Sequence, residues 1–126
     1  MFKKLLSNLI LILSIILVIV IITLKIFLID TNIKPFGIQI LKVDSNSMSP
    51  EFKKEDIIVI KEEKDYNIGD IITYKTKEGY LITHRIIEKD GNVYVTKGDN
   101  NNTKDEGYVC QNFIQGKLFC KFLKRK

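Results

Sequence analysis

The run from Leu5 to Leu24, broken only by Ser7, Asn8, Ser14 and Thr23 and continued after Lys25 by Ile26-Phe27-Leu28-Ile29, constrains this chain most. A helix of about 20 apolar residues matches the hydrocarbon thickness of a bilayer, where every backbone group must find its partner within the segment. A cleaved leader has a shorter apolar stretch that ends in small residues of the A-x-A kind. Here the exit is Leu28-Ile29-Asp30-Thr31, without alanine, so residues 1–29 are expected to form a short tail and a retained transmembrane anchor, with Lys25 snorkelling to the interface. Residues 30–37, with Pro35 and Gly37, read as a linker. Residues 38–126 are left as the domain. Lys3, Lys4 and the α-amino group compete with Lys25, Lys34 and Lys42 on the other side, and the positive-inside rule tips only weakly toward an inside N-terminus. The expected topology is therefore single-pass in the cell membrane, with a cytoplasmic N-terminus and the domain on the outer face.

Outside that anchor the 126-residue chain keeps enough sequence for one small core. Ile38-Gln39-Ile40-Leu41-Lys42-Val43 alternates, and Asp56-Ile57-Ile58-Val59-Ile60 is short and β-branched. Further strand patterns cover 71–74, 80–88 and 93–95, with Gly69-Asp70, Lys77-Glu78-Gly79 and Asp90-Gly91 as turns, and a last strand is expected over 117–120. No amphipathic helix intervenes, so the domain is expected to be mostly β and antiparallel. The tail from Lys121 to Lys126, basic and apolar, reads as a frayed end with a lipid-touching alternative. The net charge of +5 comes from interleaved acids and bases, with no basic stripe, which argues against nucleic acid as a partner. One histidine and two irregularly placed cysteines give no metal spacing and imply no cofactor; Cys110 and Cys120 are either paired or free.

The chemistry is sought where a strand delivers hydroxyls to a turn, at Ser45-Asn46-Ser47-Met48-Ser49-Pro50. Serine attacks a carbonyl only when a base takes its proton, and the single histidine is His84. Alternation along 80–87 puts His84 on one face with Ile82 and Ile86, toward the interior. That position suits either a buried structural histidine or a screened proton acceptor. A histidine base gains from a carboxylate that fixes its tautomer. Asp99 and Asp105 lie in the polar loop 98–107, where each is either such a carboxylate or a solvated turn former. Ser45 is either a turn residue or a hydroxyl offered to an oxyanion, beside the Ser47 N–H.

Taken in order, Ser45-Asn46-Ser47-Met48-Ser49-Pro50, Thr83-His84-Arg85-Ile86 and Thr96-Lys97-Gly98-Asp99-Asn100-Asn101 with Asp105 resemble the motifs of the type I signal peptidases. The similarity is to the branch with histidine in place of the catalytic lysine, which includes the endoplasmic-reticulum enzyme. Asp56-Ile57-Ile58-Val59, Gly69-Asp70-Ile71-Ile72 and Ile114-Gln115-Gly116-Lys117 resemble its later segments. The resemblance implies a small antiparallel β domain behind one transmembrane helix, acting as a serine endopeptidase that removes signal peptides from exported precursors after small residues. It implies Ser47 as nucleophile, His84 as general base and Asp105 as the first choice for the orienting acid. Asp99 is then an alternative or a second required carboxylate, and Ser45 assists the oxyanion hole. The partners implied are precursor proteins and the lipid bilayer.

Three departures from the family pattern stand out. Asn46 occupies a position where glycine is usual, which is expected to be tolerated through a left-handed backbone. Glu55 replaces the glycine before Asp56, with no consequence expected for catalysis. Many relatives carry a second hydrophobic segment near the C-terminus, whereas this sequence ends at Lys126, so a single span is expected. Met48 and Ile40 are expected to contribute to shallow apolar subsites. The rival expectation is a catalytically inactive, membrane-anchored β domain that binds exported or assembling proteins. Such a descendant should have lost one of the Ser, His or Asp positions, and all are present. A cytosolic self-cleaving repressor with a Ser-Lys site is disfavoured by the apolar anchor.

Overall fold

The computed structural model describes residues 1–29 and 34–125 and divides the chain into two compact units, Met1–Lys34 and Pro35–Lys126. In the first, α1 runs Phe2–Ile29. Its stretch Phe2–Ile26 is long and apolar enough to cross a membrane. Two of the polar residues inside it bond back to the helix: Ser14 Oγ donates to Leu11 O at 2.8 Å and Thr23 Oγ1 to Ile19 O at 3.0 Å, so neither brings an unpaired hydroxyl into the apolar segment.

The second unit is one antiparallel sheet. Its strands are β1 (Ile38–Lys42), β2 (Ile57–Lys61), β3 (Ile71–Lys75), β4 (Leu81–Asp90), β5 (Val93–Lys97), β6 (Val109–Cys110) and β7 (Ile114–Phe122). Their spatial order is β1-β2-β7-β3-β4-β5-β6, seven strands in all. The mostly β, antiparallel expectation holds. Of the linker read over 30–37, residues 30–33 lie outside the described residues. Pro35–Gly37 form a 3-10 turn tied to the sheet, with Glu62 N–H donating to Gly37 O at 2.8 Å.

The final strand is longer than its sequence reading over 117–120. It extends over Ile114–Phe122 and inserts between β2 and β3. Gly116 makes the insertion possible, because a Cβ there would stand 2.9 Å from the Lys61 carbonyl carbon. Register shifts opposite Val59/Ile60 and Thr73/Tyr74 let the strand follow both neighbours. The tail is also tied down: Lys121 Nζ pairs with Glu51 Oε1 at 2.8 Å, and Lys124 N–H donates to Asp56 Oδ1 at 2.7 Å.

Two apolar clusters hold the sheet. One gathers Tyr66, Ile72, Tyr74, Ile86, Tyr94, Val109 and Ile114; the other gathers Met48, Phe52, Ile58, Ile60 and Ile71. Successive side chains of a strand face opposite ways, so β3 sends Ile71 into one cluster and Ile72 and Tyr74 into the other. This explains why Ile71, Ile72, Thr73 and Tyr74 are all buried in a strand whose sequence shows no alternation.

Candidate active site

The hydroxyl-bearing loop between β1 and β2 is rooted by its own apolar residues, since Met48 and Phe52 are both 1% exposed. Backbone bonds close its base: Val43 N–H donates to Asp56 O at 2.9 Å and Glu55 N–H to Val43 O at 2.8 Å. The second bond requires Glu55 at φ 78, in the left-handed region that glycine adopts freely. Glu55 therefore bears on the shape of the loop. Asn46 is not left-handed; the positive-φ non-glycine residues among those described are Phe36 and Glu55. Its value is as a tie, its Oδ1 accepting from Lys54 N–H at 2.9 Å and its carbonyl from Asn100 Nδ2 at 3.2 Å.

Ser47 is thus held half-buried at the top of the loop, where β4 presents the imidazole of His84, 8% exposed, to it. Ser47 Oγ lies 3.1 Å from His84 Nε2. On the other side of the ring, Asp105 Oδ2 lies 2.6 Å from Nδ1. A carboxylate oxygen has no hydrogen to donate, so Nδ1 carries the ring proton and Nε2 turns its lone pair to the serine hydroxyl. Ser45 Oγ is 3.1 Å from Ser47 Oγ and accepts from Ser47 N–H at 3.4 Å.

The two loop carboxylates separate by partner. Asp105 is anchored by its own N–H, which donates to Thr96 O at 2.8 Å, and its Oδ2 also accepts from Thr96 Oγ1 at 2.6 Å and Tyr74 Oη at 3.2 Å. Burial pushes the Tyr74 phenol up to about 12, so it keeps its hydrogen. Asp99 faces Arg85, which donates from Nε at 2.9 Å and from Nη2 at 2.7 Å. These bonds hold the Asp99 carboxyl below the ordinary carboxylate range and raise the Arg85 guanidinium. Arg85 Nη1 reaches Gly69 O at 2.8 Å, so the pair fastens the 98–101 turn to the sheet. The solvated, self-capping turn read for Asp99 is replaced by this fork. From the same turn, Asn100 N–H donates to Ser47 O at 2.8 Å.

A cavity of about 460 Å³ opens beside Ser47 and His84, with Leu41, Val43, Phe52, Ile58, Leu81 and Ile82 supplying its apolar wall. Met48 and Ile40 are not part of that wall. Met48 is buried beneath the loop, its Sδ accepting from Asp99 N–H at 3.4 Å, and Ile40 is 69% exposed. Tyr74, Thr96 and Arg85 are the site residues the sequence did not single out. An arginine set directly after the histidine, inside a strand otherwise rich in isoleucine, was the available signal that an acid must meet it. Among the described residues no three His, Cys, Asp or Glu side chains gather to hold a metal ion. Cys110 is exposed, Cys120 is half-buried, and both are free thiols.

The family model described as Peptidase S24-like matches residues 22–125. Signal peptidase I W of Bacillus subtilis (strain 168) is 35% identical over 115 residues, which cover 84% of this chain and 60% of that protein. The signal peptidase complex catalytic subunit SEC11 of Komagataella phaffii is 36% identical over 77 residues, 52% of this chain and 45% of that protein. The corresponding subunit of Dictyostelium discoideum is 37% identical over 75 residues, 54% of this chain and 42% of that protein. The chain thus spans about half the length of the curated relatives it matches. A match that runs from within α1 to the far side of β7, over a sheet that carries a serine, a histidine and an aspartate in one bonded line, leads to one statement of kinship: the chain belongs to the Peptidase S24-like family.

Proposed function

We propose that this protein is a membrane-anchored serine endopeptidase that removes signal peptides from exported precursor proteins, cutting after small residues. The observation that carries this reading is the line Ser47 Oγ, His84, Asp105, with 3.1 Å and 2.6 Å between successive partners. His84 Nε2 takes the hydroxyl proton as Ser47 Oγ bonds to the scissile carbonyl carbon. The oxyanion is met by Ser47 N–H and the Ser45 hydroxyl. Collapse breaks the C–N bond, His84 returns the proton to the leaving amine, and the acyl group stays on Ser47. Water, deprotonated by the same nitrogen, then releases it. Asp105 keeps the proton on Nδ1 and balances the imidazolium, while Asp99 works through Arg85 on the geometry of the loop.

The apolar wall of Leu41, Val43, Phe52 and Ile58 beside Ser47 supports a preference for small uncharged side chains at the cut. Helix α1 supports a lipid bilayer as partner. Lys3 and Lys4 in its first turn support a cytoplasmic N-terminus with the peptidase domain on the outer face of the cell membrane.

The test uses the full chain in detergent with a precursor bearing a signal sequence. Ser47→Ala and His84→Ala are each expected to lower the cleavage rate by at least about 100-fold, the lower end of what a positioned base contributes. Equal processing by wild type and both variants would leave the inactive, protein-binding β domain as the better reading.

A further inference from the structure

Asp105 Oδ2 is the meeting point of three strands. His84 Nδ1 comes to it from β4 at 2.6 Å, Thr96 Oγ1 from β5 at 2.6 Å and Tyr74 Oη from β3 at 3.2 Å. Both hydroxyls are buried, Thr96 at 1% and Tyr74 at 7% exposure, and Thr96 Oγ1 stands 3.3 Å from Tyr74 Oη. A buried hydroxyl needs a partner: Tyr74 Oη donates to this carboxylate oxygen, and Thr96 Oγ1 finds it at 2.6 Å, the shorter of its two acceptors, Tyr74 Oη at 3.3 Å being the other. Behind them a second cavity of about 430 Å³, lined by Tyr74, Thr96, Asp105 and Tyr108, reaches the same carboxylate. Without the two hydroxyls, water entering there would compete with the imidazole for Oδ2.

We infer that Tyr74 and Thr96 are positioning residues. Resting on the peptidase reading, they fix Asp105 Oδ2 against His84 Nδ1 and draw off part of its charge, and so set the pH below which His84 can no longer accept the Ser47 proton. Each donated hydrogen bond lowers the charge that the carboxylate shows the imidazole. Removing one strengthens that charge, favours the imidazolium and moves the histidine titration upward. The other charged groups facing the pair are Asp99 with its Arg85 partner, Lys42 and Asp44 at the serine-side cavity, and Lys75, Lys77, Glu78 and Glu106 around the second one. The variants below leave all of these in place.

The experiment follows both the rate and the imidazole. The chain holds a single histidine, so its NMR titration in the full-length protein is unambiguous and needs no substrate. Tyr74→Phe and Thr96→Val are each expected to raise the titration midpoint and the acidic limb of the kcat/KM profile together, by about half a unit. They should also lower kcat/KM by about 5–30-fold, since a misplaced catalytic group is costly. Thr96→Ser should restore both readouts, and Tyr74→Phe should leave the titration unmoved in an Asp105→Asn background. Unchanged midpoints in Tyr74→Phe and Thr96→Val, or equal shifts with Asp105→Asn present, would overturn the inference. Should Thr96→Val fail to fold, Tyr74→Phe, which removes one oxygen atom, decides alone. A wild type that does not cleave, or a Ser47→Ala variant that cleaves as well, sinks the peptidase reading instead, while the NMR titration still tests the clamp.

Discussion

Asp99 and Asp105 share one loop, and what separates them is the donor each meets. Asp105 takes the ring nitrogen of His84 and two hydroxyls, whereas Asp99 takes both arms of Arg85. The sequence left the two open, because either carboxylate is within loop reach of the imidazole and only the fold decides which is captured by the guanidinium. Asn46 is the converse case: its residue type suggested a left-handed backbone, whereas its side-chain Oδ1 accepts from Lys54 N–H and its backbone carbonyl from Asn100 Nδ2, so that it ties the loop on both sides. The Arg85–Asp99 fork is partly buried, with side chains 33% and 23% exposed, so Asp99→Asn is expected to cost about 1–3 kcal/mol at neutral pH. Its sign with pH follows from the depressed carboxyl. A folded pKa below the unfolded value of about 3.9 gives stability that is present above that value and is lost as pH falls through the folded one. Asp56, lowered by the backbone N–H groups of Lys124 and Lys53, adds to the same slope. Denaturant titrations at pH 7 and pH 3 should find the Asp99→Asn deficit shrinking in acid. A deficit of equal size at both would remove the ion pair from the account.

At the level of elements, the strands were readable but their order was not. Ile38–Lys42, Ile57–Lys61, Ile71–Lys75 and the β4–β5 hairpin fall where alternation, β-branching and Asp90-Gly91 put them, Gly91 taking φ 56 in the turn. Strand β6, two residues long, carries too little pattern to be seen, and the central place of β7 depends on contacts with residues far off in the chain. Two glycines record those close approaches. At Gly116 an added Cβ meets Lys61 backbone at 2.9 Å, and at Gly98 it meets Ser47 O at 2.8 Å. Each Gly→Ala change forces backbone apart and is expected to cost about 1–3 kcal/mol. Their effects on cleavage should differ. Gly98→Ala pushes on the Ser47 carbonyl and strains the bond from Asn100 N–H, and a displacement near 1 Å at the proposed nucleophile is expected to lower the rate by about 100-fold. Gly116→Ala loosens the seam between β2 and β7, away from Ser47, and below its unfolding midpoint should keep a rate within about threefold of wild type. Cleavage assays beside denaturant titrations of the two variants separate these outcomes; a Gly98→Ala protein as active as Gly116→Ala would mean that the 98–101 turn does not hold the serine.

For the whole molecule the consequential feature is that a serine-histidine-aspartate line and an apolar helix belong to one chain. The proposed chemistry needs only the sheet domain, since Ser47, His84, Asp105, Tyr74 and Thr96 all lie within Pro35–Lys126. On the proposed function the helix contributes something different: it would keep the peptidase in the two-dimensional space that a membrane-bound precursor also occupies, which raises their effective concentration without any new contact. Deleting residues 2–29 should therefore split two quantities. Cleavage of a short soluble peptide is expected to keep its kcat, because no group of the site is removed. Cleavage of a precursor embedded in vesicles should fall by about 100-fold or more at equal enzyme concentration, the range over which tethering changes apparent affinity. The truncated domain is also expected to need detergent to stay monomeric. The cross-strand rows Lys42–Ile57–Phe122 and Ile40–Val59–Cys120 form one sheet face on which, beside the charged Lys42, Ile40 is 69%, Ile57 43% and Phe122 61% exposed, apolar side chains that water disfavours. Equal loss on the soluble peptide and the embedded precursor would show that the helix supports the fold of the domain itself, and would move its role from tether to scaffold.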